Sequence, residues 1–561
     1  MKDKQSLGNH IVTVLLHDYF HRGVFKQVVG EKQWSRFESR LDQNVDAALD
    51  LLKSFNIKGT FFTLGWIADK DPAIIKRIVA EGHEIADAGY SARSIGEMTP
   101  DQFRDDLRRS RRALENAGAN TIIGYRSAYK WLDKKHFWAL DILREEGYLY
   151  DASYKPAFIN PNHRFTFEYK TGNGTLYEFP TATYSFFGVC VPISGGSYLR
   201  LLPHKIMYYY FSYWNKNIPA PFVLYFHPWE LDRNQPVINA VGNFAKIRQY
   251  GNLGKMKRIL PRYFREGNFQ SVNQYLGVDL TFPERKHSGG PGNPPFTGQC
   301  DDGGPTVVVE TLTRISVAVP CYNESDSIPY LTKAIEELRC AAKKKYRLTF
   351  IFVDDCSSDN TAEILTKTFG NNSDCKIIKH EKNKGVAGAL ISGIMAAETE
   401  IVCTIDADCS YDPLELLKMV PLLEQNNADM VTASPYHKDG VVIGVPEWRL
   451  FLSRSLSNIY HFVLHYKLAT YTSCFRVCRR SAVLKAETRY TDFRGIVELL
   501  ARIDLQGGRI MEYPTTLHSR IFGFSKMKVI KTIAGHLGLL TEIYKLRHQS
   551  RANLHDANSS E

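Results

Sequence analysis

Two carboxylates, Asp406 and Asp408, stand one residue apart in the stretch VCTIDADCSYDP (402–413). The apolar run from Ile401 to Ile405 predicts a buried strand that delivers both to its C-terminal exit. Paired carboxylates there can share a divalent cation. Hard oxygen ligands suit Mg²⁺ or Mn²⁺, which keep positions open for phosphate oxygens. The C-terminal edge of an open α/β sheet is also where ligands bind. An isolated Asp-x-Asp is more often a solvated turn, so the neighbours decide its meaning.

Those neighbours are three further polar segments at predicted strand exits. ISVAVPCYNE (315–324) is a strand running into a loop, followed by a helix over Ser327–Lys343 with Ser325 or Ser327 as N-cap. A strand from Leu348 to Val353 ends in DDCSSDNT (354–361). A short strand, Cys375–His380, precedes NKGVAGA (383–389) and a helix through Ala396. Each alone has a plain reading as a turn, a helix cap or a loose helix start. Four in this order describe a Rossmann-like half with chemistry at every strand end.

The motifs resemble glycosyltransferase family 2, with a GT-A fold, over nearly all of residues 313–530. The resemblance implies that Pro320, Tyr322, Asn323, Glu324, Asp354, Asp355 and Lys384 bind a nucleotide-sugar donor. It implies that Asp406 and Asp408 hold Mg²⁺ or Mn²⁺ on its diphosphate. Charge builds on that diphosphate as it leaves, so cations there act where they are most useful. TSCFRVCR (472–479), GIVELL (495–500) and RIFGFSK (520–526) resemble the dolichol- and polyprenyl-phosphate branch. Its acceptor is an already anionic lipid phosphate, for which a strong base is less needed. Arg520 and Lys526 are the expected phosphate contacts. Glu498 is a catalytic candidate or a loop brace, and Cys474 stands where some relatives carry an acid. No Gln-x-x-Arg-Trp motif is present, so one sugar per cycle is expected, moved to a polyprenyl-phosphate or glycan-lipid acceptor.

The chain has 561 residues, too many for one ordinary core, and two or three domains are expected. With 44% hydrophobic and 23% charged residues it reads as globular, and no apolar run approaches the roughly 20 residues of a membrane span. The net charge of +11 suits anionic substrates or an anionic membrane face without singling out nucleic acid, and none is expected. Ten cysteines without paired Cys-x-x-Cys spacing, and a polar N-terminus, suggest reduced thiols in a cytoplasmic protein.

Strands alternate with helices in the first half too: His10–Leu16, a long amphipathic helix over Arg36–Phe55, then Gly59–Leu64 and onward to Phe222–Phe226. GTFF (59–62), GHEI (82–85), GYR (124–126) and YFHPWE (225–230) resemble the polysaccharide deacetylase (NodB-like) family over roughly residues 9–280. That implies a distorted (β/α) barrel with its site at the strand C-termini. In this family an Asp and two His bind one metal beside a general base. Here the metal Asp matches Asp18, the base position falls on His17, and a further acid falls on Leu15. Both metal imidazoles fall on alanine, Ala88 and Ala92. Arg126 and His227, which orient the base and assist the leaving group, are kept. A catalytically silent glycan-binding or supporting module without a metal is expected; the rival is a rebuilt site using His17, Asp18, Asp87 and His227.

The domain limits read as 9–283, a Gly/Pro-rich linker at 284–312, 313–548, and a polar tail at 549–561. Two stretches favour a membrane surface. Val441–Leu468 sets apolar and aromatic residues around Arg449 and Arg454. Arg520–Arg551 carries seven basic residues and one acidic. A peripheral position at the inner face of the cytoplasmic membrane follows as an expectation. The competing functions are a bifunctional deacetylase/glycosyltransferase, a non-catalytic glycan-binding scaffold, and a nucleotidyltransferase. The last should show a Gly-rich loop where Cys321–Glu324 stands.

Overall fold

A computed structural model describes residues 9–21, 23–129, 132–154, 167–186, 189–278, 312–523 and 535–547. The 284–312 linker and the 549–561 tail, Lys526, and much of the basic stretch after Arg520 lie outside the described residues except for Leu312. Two compact units form, one built mainly on Ser39–Pro236 and the other on Asn293–Glu561.

The strands of the first unit are β1 (Asn9–Leu16), β2 (Thr60–Thr63), β3 (Glu84–Asp87), β4 (Gly124–Tyr125), β5 (Tyr150–Asp151), β6 (Phe167–Thr171) and β7 (Gly174–Glu178). A separate hairpin, β8 (Thr183–Phe186) with β9 (Val189–Pro192), precedes β10 (Val223–Phe226) and β11 (Asn268–Gln270). The sheet runs β10-β1-β2-β3-β4-β5-β7-β6, with β11 also on β1; all pairings are parallel except β6 with β7. Strand order follows chain order and β10 returns beside β1, the connectivity of a (β/α) barrel left open beyond β6. β1 is buried almost throughout, as both-face coverage requires.

The long predicted helix over Arg36–Phe55 is shorter, Leu41–Lys53, and Arg36 instead closes a 3₁₀ turn, Glu31–Arg36. The buried Asp18 carboxylate accepts from Ser39 Oγ (2.8 Å) and the Arg40 N–H (2.9 Å), which pins the chain just before the helix. The helix Pro100–Asn116 starts at a local signal. Thr99 and Gln102 form a reciprocal capping box and Pro100 takes the first turn.

The second unit holds β12 (Thr313–Cys321), β13 (Tyr346–Asp354), β14 (Cys375–Lys379), β15 (Ile401–Thr404), β16 (Met430–Ser434), β17 (Val441–Ile443), β18 (Arg476–Arg479), β19 (Ile510–Pro514) and β20 (Thr516–His518). Its main sheet runs β14-β13-β12-β15-β18-β16-β19. The first four strands are parallel, and β18 is antiparallel to both neighbours. The order reverses between β12 and β15, which places the topological switch point beside Asp406. The first helix is Ile328–Ala342. Ser327 precedes it but makes no cap bond, because its hydroxyl donates to Glu324 Oε2 (3.0 Å). No helix among the described residues is long and apolar enough to cross a membrane, and eight cysteines there are free thiols.

Candidate functional site

Register brings the polar loops of the second unit together. Cys321 pairs with Asp354, so β12 and β13 end level, and Thr404, the last residue of β15, pairs with Ala318, three residues before the end of β12. The backbone then turns sharply. Asn323, Cys356 and Cys409, one in each of the three loops, have φ of 52°, 59° and 51°. Left-handed backbone is disfavoured for side-chain-bearing residues and gathers at functional sites. Asn323 is held there by its own amide: Oδ1 accepts from Ser358 N (2.7 Å), while its N–H donates to Ser357 Oγ (2.9 Å).

At the centre lies a chain of charge. Arg520 Nε is 2.8 Å from Asp408 Oδ2, and Arg520 Nη1 is 2.8 Å from Glu324 Oε1. Asp408 Oδ1 accepts from the Ser410 N–H (2.9 Å). Among the described residues no hydrogen bond reaches the Asp406 carboxylate. Its pKa is pushed up to about 7, by burial and then by the Asp408 charge. The Arg520 charge opposes that rise without cancelling it. Among the described residues no group of three or more His, Cys, Asp or Glu is arranged to hold a metal, and a pair such as Asp406 and Asp408 suits Mg²⁺ or Mn²⁺, which take one or two carboxylates and leave the rest to phosphate and water.

The other expected site residues divide. Asp354 is fully buried: one oxygen accepts from Ser357 N (3.3 Å), and the other has no hydrogen-bond partner among the described residues. Pro320 is half-buried and Tyr322 is exposed at the loop. Asp355, expected to contact the donor, instead organises the next loop. It bonds His380 Nδ1 (2.7 Å) and accepts from the N–H groups of Lys384 and Gly385 (2.8 Å each). Lys384 therefore contributes its backbone, and its side chain lies exposed. Glu498 is corrected from catalytic candidate to brace. One oxygen accepts from Arg489 N (2.9 Å) and Tyr490 N (2.8 Å), the other from Arg502 (2.8 Å). Cys474 is buried, and burial followed by the Asp406 charge drives its thiol pKa well up, so it is no base. His380 was not anticipated. Its only sequence signal is its place at the end of a short strand.

In the first unit, Leu15, His17, Asp18, Ala88, Ala92, Arg126 and His227 are all buried at or beyond strand C-termini. Asp18 Oδ1 accepts from Tyr19 N (2.8 Å), and its other oxygen serves Ser39 and Arg40. The rings of His17 and His227 lie 5.7 Å apart, and Arg126 sits 4.8 Å over the Tyr225 ring. Asp87, named for the rebuilt site, is fully engaged by neighbours. Its carboxylate takes Gly89 N (2.8 Å), Ser110 Oγ (2.6 Å) and Tyr148 OH (2.5 Å).

A mostly parallel sheet with paired carboxylates at its switch point, reached by an arginine from a later loop, is the arrangement expected of a GT-A domain. In agreement, residues 316–485 match the model of glycosyl transferase family 2, and residues 31–148 that of polysaccharide deacetylase. The chain thus carries one domain of each kind; residues 155–277 match a domain of unknown function, DUF3473. Curated relatives include dodecaprenyl-phosphate galacturonate synthase of Rhizobium johnstonii, 26% identical over 42% of this chain and 69% of that protein. Dolichol-phosphate mannosyltransferase of Pyrococcus furiosus is 28% identical over 42% and 63%. The chain thus spans about two thirds of the length of these relatives. Among solved structures, a polysaccharide deacetylase from Mycobacterium smegmatis is 23% identical over 50% of this chain and 96% of that one, with a TM-score of 0.34. Glucosyl-3-phosphoglycerate synthase from Mycobacterium tuberculosis, in complex with Mn²⁺, UDP and phosphoglyceric acid, is 17% identical over 42% and 78%, with a TM-score of 0.33.

Proposed function

We propose that residues 313–548 move a single sugar from a nucleotide-sugar donor to a polyprenyl-phosphate or glycan-lipid acceptor at the cytoplasmic side of a membrane. The observation that carries the reading is the Glu324–Arg520–Asp408 chain beside an unbonded Asp406. Asp406 and Asp408 would hold Mg²⁺ or Mn²⁺, which when bound supplies positive charge to the departing diphosphate. Arg520 stands ready to turn from the carboxylates to the donor's phosphates. The buried Asp354 oxygen without a partner suits an N–H of the nucleoside. An acceptor phosphate oxygen attacks the anomeric carbon, and the bond to the nucleoside diphosphate breaks with its electron pair. Glu498 is committed to the 489–490 loop and Cys474 keeps its proton, so an acceptor needing no deprotonation fits best.

The first unit, taken as 9–283, is proposed as a non-hydrolytic partner for glycan binding or support. The two metal-imidazole positions are methyl groups, and the Asp18 oxygens are already hydrogen-bonded. The test is a donor panel with Mn²⁺ and undecaprenyl phosphate, scored by nucleoside diphosphate release. Asp406→Asn should lower turnover by about a hundredfold or more; full activity in that variant would sink the assignment.

A further inference from the structure

The helix Glu447–Val463 has two unlike faces. Leu456, Tyr460 and Val463 are buried in the unit's core. Opposite them, Trp448, Phe451, Ile459 and Phe462 follow one another at intervals of three, eight and three residues. Their exposures are 53%, 71%, 41% and 82%. That spacing keeps the four side chains on one stripe at 3.6 residues per turn. Large aromatic residues this exposed, in a row, mark an interaction site.

The charges along the stripe say what kind. Arg454 is exposed one turn after Phe451, on the flank of the stripe. It packs 5.4 Å over the Tyr436 ring, and Arg449 packs 5.3 Å over Trp448. From Val441 to Leu468 there are three Lys or Arg and a single carboxylate, Glu447, at the helix start. The helix 535–547 adds exposed Leu537 and, two turns on, exposed Lys545, and its Arg547 donates to the Val463 carbonyl (2.8 Å). Aromatic tips interleaved with cations, on a helix anchored by its other face, match an anionic bilayer interface. The stripe is also tied to the candidate site. The helix starts just past β17, which pairs with β20, and β20 leads into Arg520.

We infer that the Trp448–Phe451–Phe462 stripe inserts into the interface of an anionic lipid bilayer, with the exposed Arg454 at the headgroups. The inference rests on the transfer reading only for the idea of a lipid-borne acceptor, and names the surface from which the site would meet it.

The full chain is sedimented with vesicles of phosphatidylcholine alone and of phosphatidylcholine with 30% phosphatidylglycerol, without donor or acceptor. Wild type should bind the anionic vesicles, and Phe451→Ser/Phe462→Ser should bind them about tenfold or more weakly. Arg454→Glu should weaken binding severalfold, and more at low salt. Both phenylalanines are exposed, so the thermal midpoint should hold, as should turnover of a short-chain, water-soluble polyprenyl phosphate. A wild type that ignores anionic vesicles would overturn the inference. So would a double variant that binds like wild type, or one whose only change is loss of self-association by light scattering. Absence of nucleoside diphosphate release with every donor would instead strike the transfer reading and leave the vesicle result standing.

Discussion

Arg520 and Asp408 form a 2.8 Å ion pair in which the guanidinium simultaneously holds Glu324. The cation thus already sits against a carboxylate expected to bind a metal. Burial costs Arg520 its charge hydration, but Asp408 and Glu324 outweigh that and raise its pKa. Asp408 can therefore take on a divalent ion fully only as Arg520 yields, and the arginine so released is free for the donor diphosphate.

Two opposite effects should follow from Arg520→Ala. Removing a competing charge should tighten Mn²⁺ binding to the donor-free protein by about tenfold, read by calorimetry or the Mn²⁺ resonance signal. Losing a phosphate contact should lower turnover by about a hundredfold. Weaker Mn²⁺ binding in the variant would mean that Arg520 orders the site and does not compete with the ion.

Asp355 makes a second prediction. Its carboxylate joins His380 to the N–H groups of Lys384 and Gly385, where the next helix, Val386–Met395, begins. Gly385 has φ +83°, and a Cβ there would come within 2.7 Å of the Thr491 carbonyl oxygen. Asp355→Ala and Gly385→Ala should each lower stability by about 1–3 kcal/mol, read as a shifted denaturation midpoint. If Asp355 instead bound donor directly, Asp355→Ala would weaken nucleotide binding while leaving the midpoint unchanged.

Much of this site was legible because its signals are local. Apolar runs of four to nine residues became β12, β13 and β15, and the polar residues after them emerged on one edge. What stayed hidden was the partnering. Asp354 and Asp355 are adjacent and chemically identical, yet one keeps an oxygen without a partner and the other holds a loop some thirty residues away. Glu498 likewise reads as a catalytic acid until Arg489, Tyr490 and Arg502 are seen around it. The overlong helix at Arg36–Phe55 failed for the same reason. Asp18, far back in sequence, fixes Ser39 and Arg40, and no helical periodicity carries that contact.

In the first unit, Asp87 tests the silent-site reading. It is fully buried, and burial raises its pKa to about 6 despite three donors. A folded-state pKa above the unfolded one gives stability present at low pH and lost as pH rises through about 6. Asp87→Ala should cost about 1–3 kcal/mol by leaving Ser110 and Tyr148 without their acceptor. Elemental analysis after dialysis against zinc should give the same substoichiometric metal for Asp87→Ala and its parent, both carrying Asp406→Asn and Asp408→Asn. Stoichiometric zinc lost specifically with Asp87 would revive a rebuilt hydrolase site.

His536 provides a pH test within the second unit. Its ring is buried, Nδ1 lies 2.9 Å from Tyr460 OH, and burial lowers its pKa to about 4, with Asp492 opposing and Arg494 assisting. The unfolded chain binds this proton near pH 6.5 and the folded one only near 4, so folding excludes it in between. The contribution of His536 is thus complete above about pH 6.5 and is lost progressively down to about pH 4. His536→Gln removes the titration and keeps a polar partner for Tyr460. The gap in denaturation midpoint between wild type and variant should therefore narrow steadily from pH 7 to pH 4.5. A gap constant across that range would mean that the imidazole takes up its proton as readily in the folded protein as in the unfolded chain.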